Sequence, residues 1–307
     1  MQGSKPVSDT DNRPVIFGEV LYDCFPDGEV VLGGAPFNVA WNLAALGAEP
    51  LLISRVGTDE EGDSVRNAMR VRGLDTRGLQ VGAGEHTGRV QVTIEDGEPA
   101  YDIVHPVAWD AIEPQGPKVG CALLYHGTLA LRDDRARRAW RQLRRGQPET
   151  VFVDVNLRPP WWRRHTVLEA IAGAHWVKLN RNELDELAPG GEPAGRRARS
   201  FLARHGLSGL VMTDGADGAG ILTAAGEHWE ARPDAHIPVV DTVGAGDALA
   251  AVVILGLLRH WPLGATLERA QSFASAIVGR RGATVNEPDF YADIMGQWSR
   301  ESRHLSR

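Results

Sequence analysis

From Pro14 onward, short runs of β-branched and aliphatic residues alternate with longer amphipathic segments. That is the pattern of βαβ units wound around a mostly parallel sheet. The runs VIFG, LLISRVG, ALLYHG, TVFVDV, WVKLN and LVMTDG predict core strands. Segments 37–47, 60–72, 132–145 and 193–205 predict helices, closed by Gly47, Gly73, Gly146 and Gly206 as C-caps. The expected fold class is α/β, a doubly wound mostly parallel sheet flanked by helices. Two segments depart from this: EVLYDCFPDGEVVLGG (19–34) and GRVQVTIEDGEPAYDIV (88–104) alternate with period two around PDG and EDG. They predict hairpins, and together a small β-sheet lid drawn from residues 19–34 and 86–105. In an open α/β sheet, ligands bind beyond the carboxyl ends of the strands, so the chemistry is expected in the loops that gather there.

Bulk properties narrow the partners. The 307 residues, 43% of them hydrophobic, suffice for one large α/β domain, expected over 14–300. Thirty-three Lys and Arg against forty Asp and Glu leave a net charge of -7, which disfavours nucleic acid or an anionic membrane as partner. The basic run RDDRARRAWRQLRRG carries Ala136, Ala139, Trp140 and Leu143 at helical spacing, so its arginines read as a solvated helix face. Cys24 and Cys121 lie far apart without CxxC spacing, signalling neither a disulfide framework nor a zinc site. Residues 1–13 are polar and are expected to be a disordered tail; no signal peptide and no long uncharged apolar stretch is evident, and the expected compartment is cytoplasmic. APGGEPAG (188–195) reads as a joint between neighbouring elements rather than between domains.

The stretch DTVGAGDALAA (241–251) carries the strongest chemical signal. Gly244 and Gly246, with Ala245 between them, let successive backbone N–H groups converge on an anion, and the helix that starts there adds its positive end. Asp247 in that first turn is suited to take a proton from an attacking hydroxyl. The combination suggests phosphoryl transfer, although an acid in a helical first turn is also common for its own sake. Other glycine-loop readings match poorly. A Walker A loop needs a Gly-Lys pair, and the chain has none; a dinucleotide fingerprint needs a third Gly or Ala where Leu249 stands.

DTVGAGDALAA resembles the C-terminal signature of the ribokinase-like (PfkB) family of carbohydrate kinases, and LGGAPFNVAWNLAALGAEPLLISRVGTDEEG (32–62) resembles the N-terminal one. DVNLRP (154–159), NRNE (180–183) and TDGADG (213–218) fall where the family has its DxNxR, NxxE and TxGxxG elements, so the resemblance runs from about residue 14 to 292. It implies ATP-dependent phosphorylation of a sugar hydroxyl, with Asp247 as general base and the backbone of 244–247 as anion hole. By the same resemblance Asp23, Gly33, Gly34 and Asn38 would bind the sugar, and Asn180, Thr213, Gly215, Gly218 and Asn286 the nucleotide. Glu183 would organise Mg²⁺ through water, and Asp241 and Val243 would offer oxygens to a monovalent cation such as K⁺. Each position also has a plain local reading: Asp23 as a hairpin residue, Asn180 as a helix cap, Gly215 and Gly218 as turn glycines. Arg158 could meet developing phosphate charge or pair with a nearby acid, and is left outside the catalytic set.

GGAPFNVA, with GEVLYD, resembles the fructokinase form of the first signature, so the expected acceptor is a primary hydroxyl of fructose. Arg89 is the lid residue chosen to complete the sugar site, with Gln91, His105 and Trp109 nearby. The alternatives are kinases for ribose, 2-keto-3-deoxygluconate or a nucleoside and, in another class, a silent sugar- or nucleotide-binding regulator. Lid strand edges that could pair across a two-fold axis make a monomer or a homodimer through the lid the expected states.

Overall fold

The computed structural model describes residues 12–95, 98–114 and 120–305. Its strands are β1 (Asn12–Phe17), β2 (Leu21–Cys24), β3 (Val30–Gly33), β4 (Leu51–Val56), β5 (Leu79–Val81), β6 (Gly88–Glu95), β7 (Glu98–Ile103), β8 (Gly120–His126), β9 (Thr150–Asp154), β10 (Trp176–Asn180), β11 (Gly209–Thr213), β12 (Ala219–Thr223) and β13 (His228–Ala231). The helices are α1 (Ala35–Ala45), α2 (Glu60–Arg72), α3 (Asp134–Arg145), α4 (Arg164–Ile171), α5 (Arg181–Leu187), α6 (Ala194–His205), α7 (Ala245–Leu258), α8 (Leu263–Val278) and α9 (Pro288–Leu305).

Nine strands form one sheet in the order β13-β12-β11-β10-β9-β8-β1-β4-β5. Strands β5 through β11 in that row run parallel, and β12 and β13 add an antiparallel edge. The chain leaves β1 toward β4 on one side and later returns to β8 on the other. The crevice between the ends of β1 and β8 is therefore a topological switch point. Both faces are covered, which is why the strand sequences are near-continuous apolar runs. Ile16, Leu123, Tyr125 and Phe152 face α1, α2, α7, α8 and α9, while Val15, Phe17, Leu124 and Val153 face α3, α4, α5 and α6.

Helix α7 lies inside: every residue from Ala248 to Gly256 is buried. Its small residues permit close packing, and a Cβ on Gly256 would fall 2.4 Å from Thr266 Cγ2 of α8. A helix apolar all round is the expected signature of such a central position.

The lid is a second sheet, ordered β3-β2-β6-β7. Register pairs Asp23 with Val31 and Val90, and Val90 with Ile103, so these share one face; Tyr22 with Arg89 and Cys24 with Gln91 share the other. The tip of the second hairpin, at Asp96 and Gly97, lies outside the described residues.

One local expectation is corrected. The tail expected over 1–13 overlaps β1, since Asn12 and Arg13 pair with Gly120 and Cys121, and Arg13 bridges Asp75 at 2.8 Å; residues 1–11 lie outside the described set. Gly146 is the C-cap of α3, as expected; it stays right-handed (φ -66°), and Gln147 takes the positive φ (55°). Among the described residues no helix is long and apolar enough to cross a membrane.

Candidate active site

Gly244 caps α7 in the left-handed region (φ 79°), and a Cβ there would lie 2.2 Å from that of Ala283. Glycine is thus required on both conformational and steric grounds. The incoming chain is pinned by hydrogen bonds from the Val240 and Asp241 N–H groups to Val278 O, at 2.9 and 3.1 Å. The expected four-donor cradle is smaller than supposed: Ala245 N–H turns back to Thr242 O at 3.3 Å. The N–H groups of Gly246 and Asp247 stand in the open first turn, where helix geometry supplies no partner.

Asn38 in α1 donates from Nδ2 to Asp247 Oδ2 at 2.8 Å, joining residues 209 positions apart. Asn38 is buried, and its Oδ1 has no partner among the described residues. A Cβ on Gly33 would lie 3.4 Å from Asp23 Oδ2 and 4.0 Å from Asn38 Oδ1, so two acceptors converge on bare backbone. Beside them Gly34 (φ 105°) caps α1, and a Cβ there would meet Glu19 O at 2.8 Å. Asp23, Gly33, Gly34, Asn38 and Asp247 thus form one cluster under the inner face of the lid.

Beneath it lies a buried ion pair. Lys178 Nζ donates to both Asp154 oxygens at 2.9 and 2.8 Å, and Tyr125 Oη donates to Asp154 Oδ2 at 3.3 Å. A Cβ on Gly246 would come 3.2 Å from Lys178 Nζ, so the ammonium abuts the glycine loop. Burial pulls the Lys178 ammonium down, but Asp154 and the acids around it outweigh that, and its pKa is raised overall. Burial pushes the Asp247 carboxyl up to about 6, against the Asn38 hydrogen bond that lowers it. Asp23 is likewise pushed up to about 6 by burial, with Arg158 opposing, and Glu19 up to about 7.

Glu19, Lys178 and Tyr125 were not singled out from sequence, and Asp154 only as the first residue of the DxNxR element. One signal was there: Lys178 and Asp154 are isolated charges in otherwise apolar strands, and they are register partners.

Other expected residues fall around this centre. Asn180 caps α5 in a reciprocal capping box with Glu183. The Glu183 oxygens accept Leu157 N–H at 2.7 Å and Asn180 N–H at 2.8 Å. Thr213 ends β11, and Gly215 and Gly218 (φ 52° and 100°) shape the turn into β12. Asp241 is committed to backbone, accepting from Val243 N–H and Gly282 N–H, both at 2.9 Å. Val243 and Asn286 are exposed.

Arg89 is not brought to the cluster: it projects from the lid face opposite Asp23 and pairs with Glu61 of α2. Gln91 shares that outer face. Trp109 is buried, with the Arg132 guanidinium 4.0 Å from its ring centroid. His105 packs on Trp161, ring centroids 5.1 Å apart.

Among the described residues no group of three or more His, Cys, Asp or Glu could cage a metal. With both its oxygens accepting backbone N–H groups, Glu183 fits a contact through water to a Mg²⁺ that is carried by nucleotide phosphates and keeps several waters.

The model of the pfkB family carbohydrate kinases matches residues 16–289. The chain is 29% identical to the aminoimidazole riboside kinase of Salmonella typhimurium, over 90% of this chain and 92% of that protein. It is 30% identical to a fructokinase of Klebsiella pneumoniae, covering 80% of this chain and 84% of that protein. Its fold is similar to the crystal structure of the Xylella fastidiosa fructokinase with bound ATP (TM-score 0.79, 22% identity, 93% of this chain and 98% of that one). It is also similar to the aminoimidazole riboside kinase of Salmonella enterica complexed with its riboside and an ATP analogue (TM-score 0.78, 26% identity, 92% and 100%).

Proposed function

The chain belongs to the PfkB family of carbohydrate kinases and is an ATP-dependent sugar kinase, and we propose that its acceptor is fructose, phosphorylated at a primary hydroxyl. The observation that carries the mechanism is the Asn38–Asp247 hydrogen bond, which sets the acid of the glycine loop against the sugar-side glycines. In this reading Asp23, Gly33, Gly34 and Asn38 hold the sugar, whose hydroxyls satisfy the Asp23 carboxylate and the unpartnered Asn38 Oδ1. Asp247 takes the proton of the attacking sugar hydroxyl, the sugar oxygen bonds to the γ-phosphorus as the bond to the β-γ bridging oxygen breaks, and ADP leaves. The N–H groups of Gly246 and Asp247 and the nearby Lys178 ammonium meet the charge on the transferring group.

Asn180, Thr213, Gly215, Gly218 and Asn286 line the nucleotide side. Mg²⁺ bound to the ATP phosphates would neutralise their charge, and Glu183 would orient its waters. Asp241 and the Val243 carbonyl remain the place for K⁺. Residues 12–305 form the kinase domain, acting in the cytoplasm as a monomer or a lid-paired dimer.

A riboside acceptor is the second reading, favoured by the similarity to aminoimidazole riboside kinase. An ADP-release assay with Mg-ATP over fructose, ribose, 2-keto-3-deoxygluconate, adenosine and aminoimidazole riboside separates the two. Fructose is expected to give the highest kcat/KM; preference for a riboside replaces the substrate, and no turnover on any of them revives the regulator reading.

The pH profile gives a further test. A base works ionised, so kcat/KM is expected to rise with pH through about 6, the value to which burial pushes Asp247, and to level off by about pH 8. Because Asp23 and Glu19 titrate in the same range, the limb belongs to the three carboxyls together. A profile flat down to pH 5 would remove Asp247 as a base with a raised pKa.

A further inference from the structure

The loop between α8 and α9 touches the glycine loop twice. Ala283 packs against Gly244, and Gly282 N–H donates to Asp241 Oδ2 at 2.9 Å. Two residues on, both polar groups of the Val285 peptide are taken by side chains from three helices. Trp41 Nε1 of α1 donates to Val285 O at 3.2 Å, and Arg72 of α2 donates to the same carbonyl. Tyr291 Oη of α9 accepts Val285 N–H at 3.3 Å and donates to Asn42 Oδ1 of α1 at 2.8 Å. The Arg72 guanidinium also lies over the Trp41 and Tyr291 rings, 4.4 and 5.2 Å from their centroids. Val285 and Tyr291 are 4% and 2% exposed, so little water is at hand to replace a lost partner.

Helix α1 therefore does two things at once. Its first turns hold Asp247 through Asn38, and its middle holds the Val285 segment through Trp41 and Asn42. A segment clamped at 285 and abutting the glycine loop at 282–283 fixes how far that loop stands from the base.

We propose that Tyr291 is a positioning residue for the phosphate cradle: through its hydroxyl it holds the Val285 peptide, and through Ala283 and Gly282 the loop 241–244. The proposal rests on reading 244–247 as that cradle.

Tyr291→Phe removes one oxygen and keeps the ring against Phe273 and Phe290. It leaves Val285 N–H and Asn42 Oδ1 without their partner. The expected result is a KM for Mg-ATP raised about 5- to 20-fold and a matching loss of Mg-ATP affinity by calorimetry, with the sugar KM within about twofold of wild type.

Arg72→Met, which withdraws the other clamp while Trp41 still donates to Val285 O, is expected to move Mg-ATP binding the same way by less, and stands in should Tyr291→Phe fail to fold. Phe290→Leu disturbs the same packing without touching a hydrogen bond, and is expected to lower Tm with Mg-ATP binding unchanged. Unchanged Mg-ATP KM and affinity in folded Tyr291→Phe overturns the proposal, as does an equal shift in Phe290→Leu. Wild-type protein that binds no ATP sinks the cradle reading itself, a different outcome from a wild type that binds ATP and a variant that binds it as well.

Discussion

Asp247→Asn is expected to lower kcat by about 10²- to 10⁴-fold and, at the same time, to raise the melting temperature. The first effect follows from the proton: an amide accepts a hydrogen bond from Asn38 as a carboxylate does but cannot take the proton of the attacking hydroxyl. The sugar contacts of Asp23 and Asn38 are untouched, so the sugar KM should hold. The second effect follows from the raised pKa. Folded Asp247 titrates near 6 against an ordinary 3.8, so between these values the folded state keeps a proton the unfolded chain has lost. Its stabilising share is therefore present below about pH 4 and lost as pH rises through 6, leaving a penalty on the order of 2 kcal/mol at neutral pH. The amide removes that penalty. Thermal melts at pH 7.5 and pH 4 should show the variant more stable than wild type only at the higher pH. A variant with near-normal kcat removes Asp247 as the base, and one destabilised at pH 7.5 shows that the ionised carboxylate is better paired than its burial implies.

The signals legible in sequence were those carried by local pattern. Helix and strand periods gave the layered sheet because each strand is buried on two faces and each outer helix on one. Gly244 of GAGD and Gly34 of GGAP were legible because a positive φ and a close backbone approach leave no other residue type there. Arg89 was misplaced for a reason of parity: strand residues alternate faces, and choosing which face of β6 meets the sugar needs its register with β2, where Arg89 sits beside Tyr22 and not beside Asp23. The Val285 clamp was invisible for a different reason. Trp41, Arg72 and Tyr291 read as core and surface residues of three separate helices until the fold brings them to one peptide.

The same holds for Lys178, a single charge in an apolar strand whose partner, the Asp154 of the DxNxR element, is revealed only by the register of neighbouring strands. Lys178→Met is expected to destabilise the fold by about 3–5 kcal/mol, because it leaves the Asp154 carboxylate, 1% exposed, without its counter-ion. Adding Asp154→Asn removes the stranded charge, and the double variant should recover about half of the loss or more. Urea titrations of the four proteins measure that coupling, and a coupling near zero means the pair is not the buried ion pair drawn here.

The refolded double variant then isolates the chemical share of the lysine. Its ammonium abuts Gly246, at the mouth of the open first turn of α7, where the transferring phosphoryl group would gather charge. The double variant should therefore remain at least about tenfold down in kcat even where it is fully folded. Full recovery of kcat with recovered stability would instead make the pair a structural filler beneath the loop, and leave the backbone N–H groups and the nucleotide's own metal to meet the charge alone.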